Sequence, residues 1–417
     1  MFNPESIKKD FPIFEHHPEL VYLDSAATSQ KPEAVLEAMR KYYEEFNANV
    51  SRGLYPMAEM ATSVVEAARE RIAHFIGSET KHTIFVGSAT HGINLVATGL
   101  RERLKEGENV VVTAIEHHSN FLPWKELARK TGAEFRIAAT DTTGILSPEN
   151  ILAQIDAHTR VLALTAVSNV WGLVNPVKEI IAAVREKNPE ILILVDAAQA
   201  VGHIPVSVKD WDIDYLVFSG HKTFGPTGIG VLAGKKESLE LLGAVNVGGG
   251  TVLDPTCSPV EYKALPDSLE GGTPNIAGII GLGEAIRYIE TLDLGSIHTH
   301  EEQLLHSLET RLTETFGEKV TVLGGTSKNR TSLEESRTKR AGILAFTLEG
   351  IHPHDLAHLL GERGICIRAG EHCAKPLHQT LNLNASARVS VSIYNTEADI
   401  EKFIQATEKA LSLISNS

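Results

Sequence analysis

Ile191-Leu-Ile-Leu-Val-Asp-Ala-Ala-Gln199 and Tyr215-Leu-Val-Phe-Ser-Gly-His-Lys222 each open with an apolar run and close on a short polar cluster. Neither run alternates apolar with polar residues, as a strand with one wet face would. Both read as strands buried on two faces, the pattern of a parallel sheet covered by helices. Working outward, Val110-Val-Val-Thr113 and Val161-Leu-Ala-Leu-Thr165 have the same character, and helix-period segments separate the runs. This alternation predicts an α/β fold with a mostly parallel sheet. In such sheets ligands gather at the carboxyl ends of the strands. The candidate site therefore comprises Glu116-His-His-Ser-Asn120, Ser168-Asn169, Asp196 to Gln199 and Ser219 to Lys222.

After Gly271-Gly-Thr-Pro-Asn275 the pattern changes to helix, from Ile279 to Leu292 and again from Ile297 to Thr315. Strands are expected around Val320 to Leu323 and Gly342 to Leu348, with a helix around Asp355 to Leu360. A chain of 417 residues is too long for one ordinary core. The expected division is a large domain over 21–284 and a small α+β domain over 285–417, with segment 1–20 belonging to the small one. Residues 326–340 are polar and irregular and read as an exposed loop.

An apolar share of 42% and a charged share of 22% are those of a folded globular protein. A net charge of −14 without a basic cluster argues against nucleic acid as a partner. No run approaches the roughly 18 apolar residues of a membrane span, so a cytoplasmic protein without membrane partners is expected. Three cysteines, Cys257, Cys366 and Cys373, make no disulfide framework and fit a reducing compartment.

Lys222 and Asp196 at two strand ends suggest a specific chemistry. A lysine can hold a pyridoxal phosphate aldehyde as an imine, and an acid can keep the pyridine nitrogen protonated. Singly, a solvated lysine and a turn-capping aspartate explain them as well. Val86-Gly-Ser-Ala-Thr-His-Gly92, between a strand and an apolar helix, offers amides and the Thr90 hydroxyl for a phosphate, or is an ordinary capped turn. Gly228-Ile-Gly230 precedes a strand-like run and so fails as a dinucleotide fingerprint. His298-Thr-His300 and His352-Pro-His354 lack the partners of a metal site, and no metal is expected. Cys373, in Arg368-Ala-Gly-Glu-His-Cys-Ala374, has basic and imidazole neighbours that favour a nucleophilic thiolate.

Together, Tyr22-Leu-Asp-Ser-Ala-Ala-Thr28, Glu116 to Asn120, Val195 to Gln199, Ser219 to Gly230, Gly272-Thr-Pro-Asn275 and Arg368-x-Gly-x-His-Cys-Ala374 resemble the cysteine desulfurases of class V aminotransferase fold. The Arg368 to Ala374 segment is similar to their group-II, SufS-type branch. The resemblance covers nearly the whole chain, with the motifs in the family's order. It implies a fold-type I pyridoxal 5'-phosphate enzyme, α/β with a seven-stranded sheet, acting as a homodimer. Its reaction converts L-cysteine to L-alanine and leaves sulfur as a persulfide on Cys373. The sulfur then passes to an acceptor thiol, such as a SufE- or SufU-like protein, for iron-sulfur cluster assembly.

By the same resemblance Lys222, Cys373 and His117 are catalytic, with His117 stacked on the cofactor ring. Asp196 pairs with the ring nitrogen and Gln199 contacts the phenolic oxygen. Ala89, Thr90, Ser219 and His221 hold the phosphate, with Thr273 from the partner subunit. Asn169, Arg388 and Arg368 bind substrate, an arginine being suited to a carboxylate. The chain departs from the family pattern at Ser51-Arg52-Gly53, where His-Arg-Gly is common, at His91, where glutamate is usual, and in the 326–340 insert. Selenocysteine lyase, aminotransferase or epimerase activity would keep Lys222 and Asp196 without the same use of Cys373. A non-enzymatic sulfur carrier would need Cys373 alone.

Overall fold

The strand Tyr215–Ser219 is buried along its whole length and lies near the middle of a seven-stranded sheet. The computed structural model describes residues 2–51, 53–140, 144, 146–324 and 339–415. Across the sheet the strands run Thr83–Val86, Gly230–Gly234, Tyr215–Ser219, Leu192–Asp196, Thr159–Thr165, Asn109–Thr113 and Glu134–Ala138. Only Gly230–Gly234 opposes its neighbours, and the remaining pairings are parallel. The α/β class and the mostly parallel sheet are thus as the sequence indicates. Val110, Leu162, Ile193 and Leu216 are fully buried. Each such side chain contributes about 1.5–3 kcal/mol, which fixes these runs between two helical layers.

The helix Ile276–Leu292 packs against both Glu33–Glu45 and Pro56–Phe75. The contact is close enough that a Cβ at Gly283 would stand 2.6 Å from the Ala68 Cβ. A second, antiparallel sheet has the order Val320–Val322, Ile343–Leu348, Ser386–Ser390, Arg368–Gly370. Its core includes Leu344, Phe346, Val389 and Phe403.

Val21–Tyr22 pairs in parallel with Ile365–Cys366, and Asp24 bridges Ser390. The expected domain start at residue 21 therefore falls in a strand laid against the C-terminal part, and residue 285 falls inside the helix Ile276–Leu292. Earlier still, Phe11 packs its ring against Phe224, Tyr288 and Tyr394. Of the expected exposed loop, residues 326–338 lie outside the described residues. Exposure does not hold at Arg340, which is buried and donates to the carbonyls of Trp171, Leu323 and Gly324. Among the described residues no helix is long and apolar enough to cross a membrane.

One buried ion pair joins the loop after Leu192–Asp196 to the helix Leu294–Phe316. His203 Nδ1 lies 2.9 and 2.8 Å from the two carboxylate oxygens of Glu301, which is fully buried. Burial disfavours the imidazolium, but the Glu301 charge and hydrogen bond outweigh it and raise the His203 pKa. A raised folded-state value makes this stabilisation complete below the unfolded histidine value of about 6.5 and lost as pH rises through the folded value. The urea midpoint is expected to fall as pH increases from about 6.5, and His203→Gln is expected to flatten that dependence. Urea unfolding of both proteins across pH measures it.

Candidate active site

The carboxyl ends of the central strands open onto a cavity of about 210 Å³ lined by His117, Asn169, Asp196, Lys222, Cys373 and Arg388 among others. The structure therefore brings together residues that the sequence scatters over more than half the chain.

Lys222 ends the short turn Gly220–Lys222 that follows the strand Tyr215–Ser219. The peptide before it is held firmly. The His221 carbonyl accepts from the Ser29 amide at 2.9 Å, from the Thr28 hydroxyl at 3.0 Å and from Lys31 Nζ at 3.2 Å. Burial lowers the Lys222 amine to about 8, with Asp196 opposing the drop. It is thus an amine poised to lose its proton near neutrality. Asp196 terminates Leu192–Asp196, and its Oδ1 accepts from the Ala198 amide at 2.9 Å. Burial raises its carboxyl, while that amide and Lys222 favour the anion.

His117 accepts from the Ser119 amide at Nδ1, 3.1 Å away, so its hydrogen is on Nε2. Burial first, then Lys222, lowers it to about 3 and keeps it neutral. Ser88 caps the helix Ala89–Gly99, whose first amide, at Ala89, bonds Ser219 Oγ at 2.8 Å. Ser88, Ala89, Thr90, Ser219 and His221 all line the cavity, so a helix start with its hydroxyls faces it. His91, at a position where the resemblance leads one to expect glutamate, accepts from the Gly87 amide at 3.0 Å. It thereby ties back the turn much as the acid of a capping box does.

Arg388 is buried, donating to the Asn169 carbonyl at 2.8 Å and to Asp24 at 3.1 Å. Its cross-strand partner is Arg368, which also lines the cavity. Four buried atoms of cavity-lining residues, Asn169 Oδ1, Gln199 Oε1, His372 Nδ1 and Arg388 Nε, have no hydrogen-bond partner among the described residues. Thr273 is exposed and does not line this cavity. Arg52 lies outside the described residues.

Cys373 is exposed at the cavity mouth, and it and His372 have φ of 55° and 50°, in the left-handed region that non-glycine residues seldom occupy. The loop is clamped to the large sheet. The Cys373 carbonyl accepts from the His118 amide at 2.7 Å, and the His372 carbonyl from Asn169 Nδ2 at 2.7 Å.

Three further residues were given no role from sequence, Glu116 among them although it opens a candidate stretch. Asp24 orients Arg388. Lys31 packs its amine against backbone carbonyls, and burial lowers it to about 8. Glu116 is fully buried among the Thr113 hydroxyl, the Asn120 amide and the Thr165 N–H. Burial pushes its carboxyl up to about 8 against the pull of these donors.

Comparison with known proteins agrees with this architecture. A protein of Halalkalibacterium halodurans described as "Probable cysteine desulfurase" is 43% identical over 98% of each chain. The structure of the cysteine desulfurase from Thermococcus onnurineus NA1 superposes with a TM-score of 0.91 at 36% identity, covering 100% of this chain and 99% of the other. That of the cysteine desulfurase CsdA from Escherichia coli gives 0.89 at 34% identity, covering 99% of both. The family description "Aminotransferase class-V" matches residues 21–403, and the chain belongs to that family.

Proposed function

We propose that this protein is a cysteine desulfurase that converts L-cysteine to L-alanine with pyridoxal 5'-phosphate and receives the sulfur on Cys373. The observation that carries the reading is an amine of lowered pKa, Lys222, and an exposed thiol, Cys373, facing one cavity together with Arg388. The cavity suits the cofactor on three counts. Lys222 can take its aldehyde, buried Asp196 can pair with a protonated ring nitrogen, and the start of helix Ala89–Gly99 can face its phosphate. Orphaned Gln199 Oε1 and Asn169 Oδ1 mark places where a bound molecule would complete the hydrogen bonding.

When bound, pyridoxal phosphate supplies an electron sink for the charge left at Cα when its proton departs. Lys222 Nζ removes that proton and returns one. Asp196 holds its negative charge in a buried setting where it acts strongly. Neutral His117 lines the cavity and can hold or move a proton through Nε2. Arg388 and Asn169 grip the substrate carboxylate, aided by Arg368, and aim its sulfur at the Cys373 loop. The Cys373 thiolate then bonds that sulfur as the Cβ–S bond breaks. The electron pair stays with carbon, and protonation completes the methyl group of alanine. The persulfide is next handed to an acceptor thiol for iron-sulfur cluster or other sulfur-compound synthesis. A homodimer would bring Thr273 of the partner subunit to the phosphate.

Incubating the protein with L-cysteine and a thiol reductant should give alanine and sulfide in equal amounts, and absence of alanine would overturn the proposal. Asp196→Ala is expected to keep most of the cofactor but to slow a single turnover by about 100-fold or more, since one buried charge facing the reaction is lost. Comparing bound cofactor with single-turnover rate tests this. Full occupancy with a near-normal rate would leave Asp196 as a turn residue.

A further inference from the structure

The loop from Glu116 to Asn120 touches three parts of the candidate site. His117 lines the cavity, and the His118 amide donates to the Cys373 carbonyl at 2.7 Å. The Ser119 hydroxyl lies 2.7 Å from that of Thr90, in the first turn of the helix Ala89–Gly99. Whatever fastens this loop to the sheet beneath it therefore fixes the site as well.

Beneath the loop the sheet is opening. The pairing of Asn109–Thr113 with Thr159–Thr165 runs from Asn109 opposite Thr159 to Val112 opposite Ala163 and stops there. Thr165 lies past the last pair, and its N–H donates to Glu116 Oε1 at 2.9 Å. The Thr113 hydroxyl bonds the same oxygen at 2.6 Å. On the loop side, Glu116 Oε2 lies 2.6 Å from Asn120 Nδ2. An indole N–H only donates, so the 3.0 Å bond from Trp124 Nε1 holds the Asn120 oxygen on its far side and turns the amide hydrogens toward Glu116. Glu116, Thr113, Asn120 and Trp124 are all fully buried.

We propose that Glu116 is a positioning residue that holds His117 in the cavity: through Asn120, its carboxyl fastens the His117 loop onto two strand ends where their own pairing has stopped. This rests on the reading of His117 as a site residue. The link does not depend on ionisation. Burial pushes the Glu116 carboxyl up to about 8, and a protonated carboxyl can carry its hydrogen on Oε1, directed at Thr113. The Thr113 hydroxyl then turns from donor to acceptor, while Oε2 keeps the bond from Asn120 and Oε1 that from Thr165. His117 reports whether the link holds. Burial first, then the charges of Lys222, His118, Arg388 and Arg368, lowers it to about 3. That burial lasts only while the loop stays down, and a ring open to water protonates near about 6.5.

The test is proton–carbon NMR of the histidine rings in the full-chain holoenzyme without substrate, with the His117 signal assigned by its loss in His117→Gln. In the parent the ring is expected to stay neutral down to about pH 5. In Glu116→Leu and Asn120→Leu it should take up a proton with a midpoint of about 5.5–6.5, close to the value of a free imidazole. Asn120→Leu leaves Glu116 on the sheet, so it carries the test if Glu116→Leu does not fold. Combining Glu116→Gln with Asn120→Asp exchanges amide and carboxylate and leaves each of these bonds with one donor and one acceptor. That double variant should return His117 to its parental behaviour. A ring that stays neutral to about pH 5 in folded Asn120→Leu would overturn the proposal and leave Glu116 as a group that only fills the core. A double variant that titrates like Asn120→Leu would overturn it too. Substrate is absent, so this failure is distinct from failure of the desulfurase reading, which alanine formation by the parent decides.

Discussion

Lys222→Ala is expected to abolish alanine formation and to remove the site at which borohydride fixes a pyridoxyl group to the chain. In the parent holoenzyme, reduction followed by peptide mapping should place that group on the peptide containing Lys222. The geometry leaves few alternatives. Lys222 lines the cavity with its proton affinity lowered to about 8, between Asp196 and the two arginines. Lys31 is a second, half-buried amine nearby, and desolvation brings it to a similar value. Its Nζ, however, is committed to the carbonyls of Ser29 and His221 and to the Thr28 hydroxyl. The activity loss should be on the order of 10³-fold or more, the scale on which removing a central catalytic group falls. Exogenous cofactor bound without covalent attachment would leave the Lys222→Ala protein coloured but inactive. A pyridoxyl adduct on Lys31 or elsewhere in the parent would sink the assignment.

The parts legible in the sequence were those whose physics is local. Strands buried on both faces betray themselves as unbroken apolar runs, which is why Asn109–Thr113, Thr159–Thr165, Leu192–Asp196 and Tyr215–Ser219 could be read directly. The edge strand Glu134–Ala138 could not. Its Glu134 and Arg136 reach solvent and pair with each other at 2.6 Å, the charged signature of an edge, which reads as surface. In the site, residues just after apolar runs were visible because strand ends are where ligands collect. Asp24 also follows an apolar run, Val21-Tyr-Leu23, so a signal was present. Its meaning depends on Arg388, 364 residues away. Lys31 gave no such sign, and Glu116, although it opens the stretch after Val110-Val-Val-Thr113, owes its burial and its partners Thr113, Asn120 and Thr165 to contacts that only folding supplies.

Cys373→Ser should leave cofactor binding intact and lower alanine production from L-cysteine by on the order of 10³-fold or more, because a hydroxyl is a far poorer nucleophile toward sulfur and cannot store it as a persulfide. The loop that carries this thiol is built for presentation. Two successive residues, His372 and Cys373, take the left-handed conformation, and bonds from His118 and Asn169 hold the turn against the large sheet. The strain of such backbone persists only where surrounding contacts over-determine it. The other thiols lack this setting. Cys257 is exposed outside the cavity lining, and Cys366 is half-buried on the Ile365–Cys366 strand, where burial, then Asp24, pushes its thiol up. Cys257→Ser and Cys366→Ser should therefore keep near-parental activity. Mass spectrometry of the parent after L-cysteine should find one added sulfur on the Cys373 peptide and none on the other two. Alanine formation at the parental rate by Cys373→Ser would eliminate the persulfide route, and a lyase that releases sulfur without an enzyme thiol would then account better for the shared Lys222 and Asp196 geometry.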